Sequence, residues 1–81
     1  MNEIEFNQAY LPDTKCKVTY KDDTGAVRIG LLLDGVQTSL TGNQFVYVDS
    51  FVNRPLVRDI IRVESLGVKW TGGYSKGRMR D

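Results

Sequence analysis

The chain contains no histidine and a single cysteine among its 81 residues. Without histidine there is no Ser-His-Asp or Cys-His nucleophile, and no imidazole that acts as a general base near neutral pH. A zinc site would have to be built from one cysteine and carboxylates, which is not the ligand set of a structural zinc site. These absences predict a protein that is not an enzyme and that holds no metal or cofactor.

The lone cysteine also excludes an internal disulfide, so the fold is not cross-linked in that way. Cys16 lies between Lys15 and Lys17 in an alternating pattern. One interpretation is a small buried apolar residue between two exposed lysines. The other is an exposed, reactive thiol that the two lysines activate. The exposure of Cys16 distinguishes the two.

Long apolar runs are missing as well, since no stretch approaches the roughly 20 residues that span a bilayer. The first ten residues are acidic and have no apolar centre, unlike a signal peptide. The 41% hydrophobic and 26% charged fractions are ordinary for a globular domain. We therefore expect one soluble, cytoplasmic domain with a thin core and no membrane partner.

Short segments with the two-residue periodicity of β-strands fill the middle of the chain. In the first, Lys15–Tyr20, the apolar side chains fall on one face, and a polar turn ending at Gly25 follows. Gly30, inside the second, predicts a strong bend or bulge of the kind that curls a sheet. The apolar residues that alternate along this second strand are Val27, Ile29, Leu31 and Leu33.

Three further strands are predicted before residue 67. A tight-turn dipeptide at 34–35 precedes a short third strand through Leu40. The run Phe45–Val48 has the best strand propensity in the chain and forms the fourth. The fifth begins after Pro55 and is predicted to have two distinct faces, with Val57, Ile61 and Val63 on one and Ile60 on the other.

Five short strands without a long helix predict an all-β fold, a small, strongly bent antiparallel barrel of five strands. The pattern divides the chain into an N-terminal extension (residues 1–14), a barrel domain (residues 15–70) and a tail (residues 71–81). The extension is expected to form at most one short helical turn, or a strand through Ile4 and Phe6. The tail is rich in glycine and basic residues and is predicted to be flexible.

Two segments resemble families of small barrels. A polar turn that ends in glycine, a second glycine, an apolar strand and an aspartate follow one another as in the first Sm motif, at Gly25, Gly30, Leu31 and Asp34. Phe45–Val48 and the stretch 54–60 resemble the WYL domain, a related five-stranded barrel. The resemblance spans about residues 15–66 and implies an Sm-like or SH3-like barrel. Because the arginine-glycine pair of the second Sm motif is absent, it does not imply a uridine pocket.

Charge is distributed unevenly along the chain. Residues 67–81 carry four basic side chains and one acidic one, whereas the other residues carry seven basic and nine acidic ones. Basic groups neutralise phosphates, and aromatic rings between them stack on bases. The predicted nucleic-acid-binding residues are therefore Lys69, Trp70, Tyr74, Lys76, Arg78 and Arg80. The alternative is a solubilising extension, with Trp70 as the last residue of the core.

A secondary basic surface is predicted on the strands, formed by Arg28, Arg58 and Arg62. Arg58 and Arg62 are expected to lie on one face of the fifth strand. The alternative, favoured by the slightly acidic body of the chain, is that these arginines and Arg54 form ion pairs. Their expected acidic partners are Asp49, Asp59 and Glu64.

Aspartates at turns are the last candidate group, namely Asp22, Asp23 and Asp34. Their oxygens suit a hard cation, but their spacing matches no calcium-binding loop. Aspartate is also favoured at turns for its hydrogen bonds to nearby backbone. We therefore expect these residues to stabilise turns and not to bind a metal.

Two functions fit these features. The first is a nucleic-acid-associated regulatory or accessory protein whose tail contacts single-stranded RNA or DNA. The second is a protein-binding adaptor or inhibitor, of the kind that phages and mobile elements encode, acting through an exposed strand edge or an aromatic patch. Open strand edges also make a homo-oligomer an expectation. Joint exposure of four aromatic residues would favour a protein partner or self-association: Phe45, Tyr47, Phe51 and Trp70.

Overall fold

The computed structural model describes residues 1–69, which form a mostly-β fold with one short helix. β2, β1 and β5 form an antiparallel sheet in that order, and β3 and β4 form a two-stranded sheet. The β-rich prediction is confirmed, but within these residues the two sheets are not closed into a barrel. The elements are α1 (Glu3–Ala9), β1 (Thr14–Lys21), β2 (Val27–Leu32), β3 (Gln37–Thr38), β4 (Gln44–Phe45), a 3₁₀ turn (Val57–Asp59) and β5 (Ile60–Lys69).

Helix α1 corrects the expectation of at most one helical turn at the N-terminus. Its first turn is closed by a capping box, in which the Glu5 backbone N–H donates to the Asn2 side chain (2.8 Å) and the Asn2 N–H donates to the Glu5 carboxylate (2.9 Å). Phe6 on this helix is fully buried, and its ring centroid lies 5.4 Å from that of Tyr10. The N-terminal segment therefore contributes to the core.

Within residues 1–69 the core consists of ten buried side chains, Phe6, Cys16, Val18, Tyr20, Leu32, Val46, Val48, Val57, Ile60 and Val63. β1 supplies three of them at alternate positions, as its periodicity predicts. Cys16 has no exposed surface, so its interpretation as a small buried apolar residue is confirmed. The polar turn after β1 is also confirmed, with Gly25 at a φ of 86°.

The apolar residues that alternate along β2 lie on the solvent side of the sheet. The register with β1 aligns Leu32 with Cys16 and Gly30 with Val18, so these positions face the core. Val27 and Ile29 lie on the opposite side and are 59% and 61% exposed. The core side of this strand is therefore its less apolar side.

Gly30 is required by a crossing of the chain and not by a bulge. The β1–β2 register runs through it without interruption, so a bulge, one of the two predicted alternatives, is wrong at this position. The segment Tyr47–Asp49, here called the crossing segment, passes directly over it. A Cβ atom on Gly30 would overlap the Val48 side chain and lie 2.6 Å from Asp49 Oδ2. Only glycine leaves room for this approach.

Hydrogen bonds hold the crossing segment against the end of β2. The Leu31 N–H donates to Asp49 Oδ1 and the Asp49 N–H donates to the Leu31 carbonyl, both at 2.8 Å. The Leu33 N–H donates to the Tyr47 carbonyl at 3.0 Å. One aspartate thus satisfies both backbone groups of Leu31, which would otherwise lie at an open strand edge.

The face prediction for the fifth strand is wrong at two positions. The β1–β5 register shifts between Thr19, which pairs with Arg62, and Tyr20, which pairs with Ile60. The residue between them, Ile61, is an extra one and is 50% exposed, whereas Ile60 is 2% exposed. A bulge reverses the alternation of faces because two residues oppose one on the partner strand.

The predicted strand boundaries also change. Ladder pairing in the third and fourth strands is confined to two residues each, and Leu40 is fully exposed. Residues 57–59 form a 3₁₀ turn in which the Asp59 N–H donates to the Leu56 carbonyl (2.9 Å), so the fifth strand begins later than predicted. It also continues farther, to Lys69.

Replacing Gly30 with alanine is expected to lower the free energy of unfolding by about 1–3 kcal/mol, the usual cost of forcing extra volume into a packed site. Urea denaturation of the two proteins measures this. Gly25→Asn is the matched control, since nothing lies within 4 Å of that position and asparagine tolerates a positive φ. An equal loss in both variants would contradict the close approach at Gly30.

Candidate functional site

Three aromatic rings lie in series, one on β4, one on the crossing segment and one on the turn that follows it. The alternation of residues 45–48 buries Val46 and Val48 completely and leaves Phe45 and Tyr47 half-buried. The Phe45 and Tyr47 rings meet edge to face at 5.4 Å and 85°. Phe51 is 58% exposed and contacts Tyr47 at 4.9 Å and 68°. We call Phe45, Tyr47 and Phe51 the aromatic cluster.

The turn that carries Phe51 is fixed by polar contacts. Asp49 reverses the chain with a φ of 67°, a conformation that aspartate tolerates better than most residues. The Asn53 side-chain amide donates to the Val48 carbonyl (3.1 Å) and to the Tyr20 hydroxyl (2.9 Å). The Val48 N–H in turn donates to the Asn53 carbonyl at 3.1 Å. Hydrogen bonds therefore fix the conformation of the loop that carries the aromatic cluster.

Arg54 adds a positive charge beside the aromatic cluster. Its guanidinium carbon lies 5.9 Å from the centre of the Phe45 ring, within the range of a cation–π contact. Among residues 1–69 it forms no ion pair, so the expected pairing with an acidic side chain is wrong for this arginine. The cluster thus combines apolar rings with one cation.

Most of the predicted nucleic-acid-binding residues lie outside the described residues, namely Trp70, Tyr74, Lys76, Arg78 and Arg80. Lys69 is exposed at the end of β5, where its Cα pairs with that of Thr14. Of the four aromatic residues whose joint exposure was considered, Phe51 is exposed, Phe45 and Tyr47 are half-buried, and Trp70 lies outside the described residues.

The three arginines of the predicted secondary basic surface are not brought together. Arg28 pairs across the sheet with buried Tyr20, whereas Arg62 pairs with Thr19, so the two face opposite sides. Arg58 lies in the 3₁₀ turn and not on the fifth strand, which corrects the expectation that it shares a strand face with Arg62.

Ion pairing instead accounts for two of these arginines. The Arg28 Nε atom lies 2.8 Å from Asp22 Oδ2, and an Arg62 nitrogen lies 3.5 Å from a Glu64 oxygen. Arg58 has no ion pair with any acidic residue in the described part of the chain. Both arginine side chains are largely exposed, so the ion pairs themselves contribute little to stability.

Asp22 organises the β1–β2 turn through both carboxylate oxygens. Oδ1 accepts hydrogen bonds from the Thr24 N–H (2.9 Å), the Thr24 hydroxyl (2.6 Å) and the Ala26 N–H (3.0 Å). Oδ2 accepts one from Arg28. The Thr24 hydroxyl and then Arg28 hold the pKa of Asp22 well below its ordinary 3.8, and Asp22 raises the pKa of Arg28.

A turn role also fits Asp34, whose carboxylate accepts from the Gly35 N–H at 2.7 Å. Burial, and then the charge of Asp34, raise the pKa of nearby Tyr10.

In residues 1–69 no group of three or more histidine, cysteine, aspartate or glutamate side chains is placed to hold a metal ion. Over the same residues, no helix has the length and apolar character to cross a membrane.

A cleft of about 340 Å³ opens beside the 53–56 segment. Its charged lining residues carry both signs, and the Asp22 carboxylate in it is already bonded to its own turn. The Tyr20 hydroxyl at its wall accepts a hydrogen bond from Asn53. Among its described lining residues no nucleophile is paired with a base, so the cleft has no evident catalytic arrangement.

The chain matches no protein-family model, no curated protein and no solved structure. The Sm-like and WYL-like resemblance therefore stays a prediction. Sequence reasoning singled out these three rings, together with Trp70, as side chains whose joint exposure would favour a protein partner. It missed the contact of Arg54 with Phe45, because that contact depends on how the turn folds back.

Replacing Asp22 with alanine is expected to lower the urea midpoint at pH 7. Because the pKa of Asp22 is depressed in the folded protein, its stabilisation is fully present above pH 3.8 and is lost as the pH falls below that value. The difference between variant and parent should therefore shrink in acid. Asp23→Ala, an exposed neighbour in the same turn, is the control and should change the midpoint less. A difference independent of pH would contradict the carboxylate's role.

Proposed function

We propose that this protein is a non-catalytic binding module that docks a partner protein through the aromatic cluster. The observation that carries the proposal is the continuous series of rings from Phe45 through Tyr47 to Phe51, with Phe51 58% exposed. Aromatic and arginine side chains are enriched in protein interfaces and supply most of their strongest contacts. Arg54 beside Phe45 completes that composition.

The rigidity of the loop supports the same proposal. The hydrogen bonds of Asn53 and the contacts of Asp49 with Leu31 hold the turn before any partner arrives. A preorganised surface loses less conformational entropy on binding, so more of its contact energy appears as affinity.

The charge of the described part of the chain disfavours a polyanion at this surface. Residues 1–69 carry eight basic and nine acidic side chains, a net charge of −1. Nucleic-acid binding depends on an excess of positive charge. A protein partner therefore fits this cluster better than a nucleic acid does.

We also propose that the two sheets and the segment between them form an open, incompletely paired version of the five-stranded, strongly bent barrel that the Sm-like resemblance implies. Isolated bridges extend the pairing beyond the two sheets: Leu32 of β2 pairs with Val48, and Phe45 of β4 pairs with Leu56, just before the 3₁₀ turn. The segment 44–49 thus lies between β2 and the stretch leading into β5. Such an arrangement is what an incompletely paired small barrel would have.

Nucleic-acid contact by the tail is a second candidate function, with a different surface. It rests on the segregation of charge, because residues 70–81 carry three basic side chains and one acidic one. Trp70 and Tyr74 among them would supply bases with stacking partners.

Replacing Phe51 with serine is expected to weaken protein binding roughly 10- to 100-fold, the range of an interface hot spot. The probe is a set of peptides selected from a phage-displayed random library on the immobilised full chain, with affinities measured by calorimetry. Leu40→Ser, at a fully exposed position in another loop, is the matched control. Equal losses in both variants, or no selected peptide, would contradict the proposal.

Ending the chain after Lys69 is expected to abolish salt-sensitive binding of single-stranded RNA or DNA while leaving the selected peptides bound. The cut falls after Lys69 because β5 extends to that residue, so an earlier cut at Leu66 would damage the sheet. Fluorescence anisotropy of a labelled oligouridylate and an oligothymidylate, at low and moderate salt, measures the loss. Unchanged binding by the shortened chain would rule out the tail.

A further inference from the structure

The three-stranded sheet has an outer face made of two kinds of side chain. Cys16, Val18 and Tyr20 of β1 point into the core, so the residues between them point outward. The register places Lys17 beside Leu31 and Glu64, and Thr19 beside Ile29 and Arg62. We call this set the outer face: Lys15, Lys17, Thr19 and Lys21 of β1, Val27, Ile29 and Leu31 of β2, and Arg62 and Glu64 of β5.

An aliphatic column runs along one side of the outer face. Val27 and Ile29 are 59% and 61% exposed, and Leu31 is partly buried. Within residues 1–69 no element covers this column, because α1 inserts Phe6 into the core on the other side of the sheet. Adjacent exposed aliphatic side chains on a rigid sheet are typical of an interaction surface.

A positively charged row lies beside the aliphatic column. The outer face carries four basic side chains and one acidic one, Glu64, which lies 3.2 Å from Lys17 and 3.5 Å from Arg62. Asp13 and Asp23 lie beyond the two ends of β1. Residues 1–69 together have a net charge of −1. The outer face is therefore positive although the described part of the chain as a whole is slightly negative.

We infer that the outer face binds an acidic amphipathic segment of a partner protein. Its aliphatic side chains contact the column of Val27, Ile29 and Leu31, and its carboxylates face the basic row. Charge complementarity selects this occupant. A second copy would oppose one positive face with another, and the chain's own residues 67–81 carry the same sign. A nucleic acid would find no ring in the aliphatic column on which to stack a base.

This surface is distinct from the aromatic cluster, so the two can be tested separately. The probe is a synthetic amphipathic peptide of leucine and glutamate, titrated into the full chain labelled with ¹⁵N. Backbone resonances of Val27–Leu31, Lys17, Lys21 and Arg62 are expected to shift, with affinity falling several-fold between roughly 50 and 200 mM salt. The same peptide with lysine in place of glutamate should leave these resonances unmoved.

Two variants separate the apolar and the charged contributions. Ile29→Thr keeps the strand propensity while removing aliphatic surface, and Lys21→Glu reverses one charge of the row. Each is expected to weaken the acidic peptide at least about tenfold. Leu40→Thr, exposed on another loop, is the control and should bind as the parent does. Thermal melting of each variant should match the parent, since these side chains lie outside the core.

Four results would overturn the inference. The first is that the acidic peptide leaves the resonances of the outer face unshifted, and the second is that the lysine peptide binds this face equally well. The oligouridylate would shift the outer face at lower concentration than the peptide, which would assign this face to nucleic acid. Alternatively, light scattering would show a dimer of the free chain that Ile29→Thr converts to a monomer, which would assign it to a second copy. Phe51→Ser should leave peptide binding here unchanged even if docking at the aromatic cluster fails.

Discussion

The rest of the structure depends on the close passage of the crossing segment over Gly30. That passage leaves no room for a Cβ atom, and two hydrogen bonds between Asp49 and Leu31 secure it. It directs Val46 and Val48 into the core and leaves Phe45 and Tyr47 on the other side. It also places Asp49 where the chain must reverse, so the position of Phe51 follows from the same contact. The contact of the crossing segment with Gly30 and Leu31 thus determines both the packing of the core and the position of the aromatic cluster.

The two surfaces proposed for binding have different physical origins. The aromatic cluster results from alternation along one segment and a turn fixed by hydrogen bonds, and it consists of three rings with one cation beside them. The outer face results from the pleat of the sheet, which must present one side to solvent. A domain this small cannot bury both faces of a sheet, because its core residues form a single cluster that covers only one face. The uncovered face of the sheet therefore leaves apolar side chains exposed, and these are available to bind a partner.

Strand β1 was predictable in detail because one of its faces is uniformly apolar and the other is largely lysine. The faces of β2 could not be read in the same way, since its alternating apolar residues turn outward and Gly30 and Leu32 turn inward. The reason is non-local, because the crossing segment fills the place that a side chain at residue 30 would occupy. In β5 the bulge at Ile61 depends on the register with Thr19 and Tyr20, which no local pattern encodes. Helix α1 was underestimated because its stability comes from the capping box of Asn2 and Glu5 and from the burial of Phe6, three residues in a largely polar stretch.

The burial of Cys16 has a practical consequence. It is the single thiol of the chain, it has no exposed surface, and it lies in the core to which α1, the three-stranded sheet and the crossing segment all contribute side chains. A thiol reagent in solution can modify it only when the sheet and the helix part. The rate at which a reagent modifies Cys16 therefore measures how often the whole domain opens, and no added label is needed for that measurement.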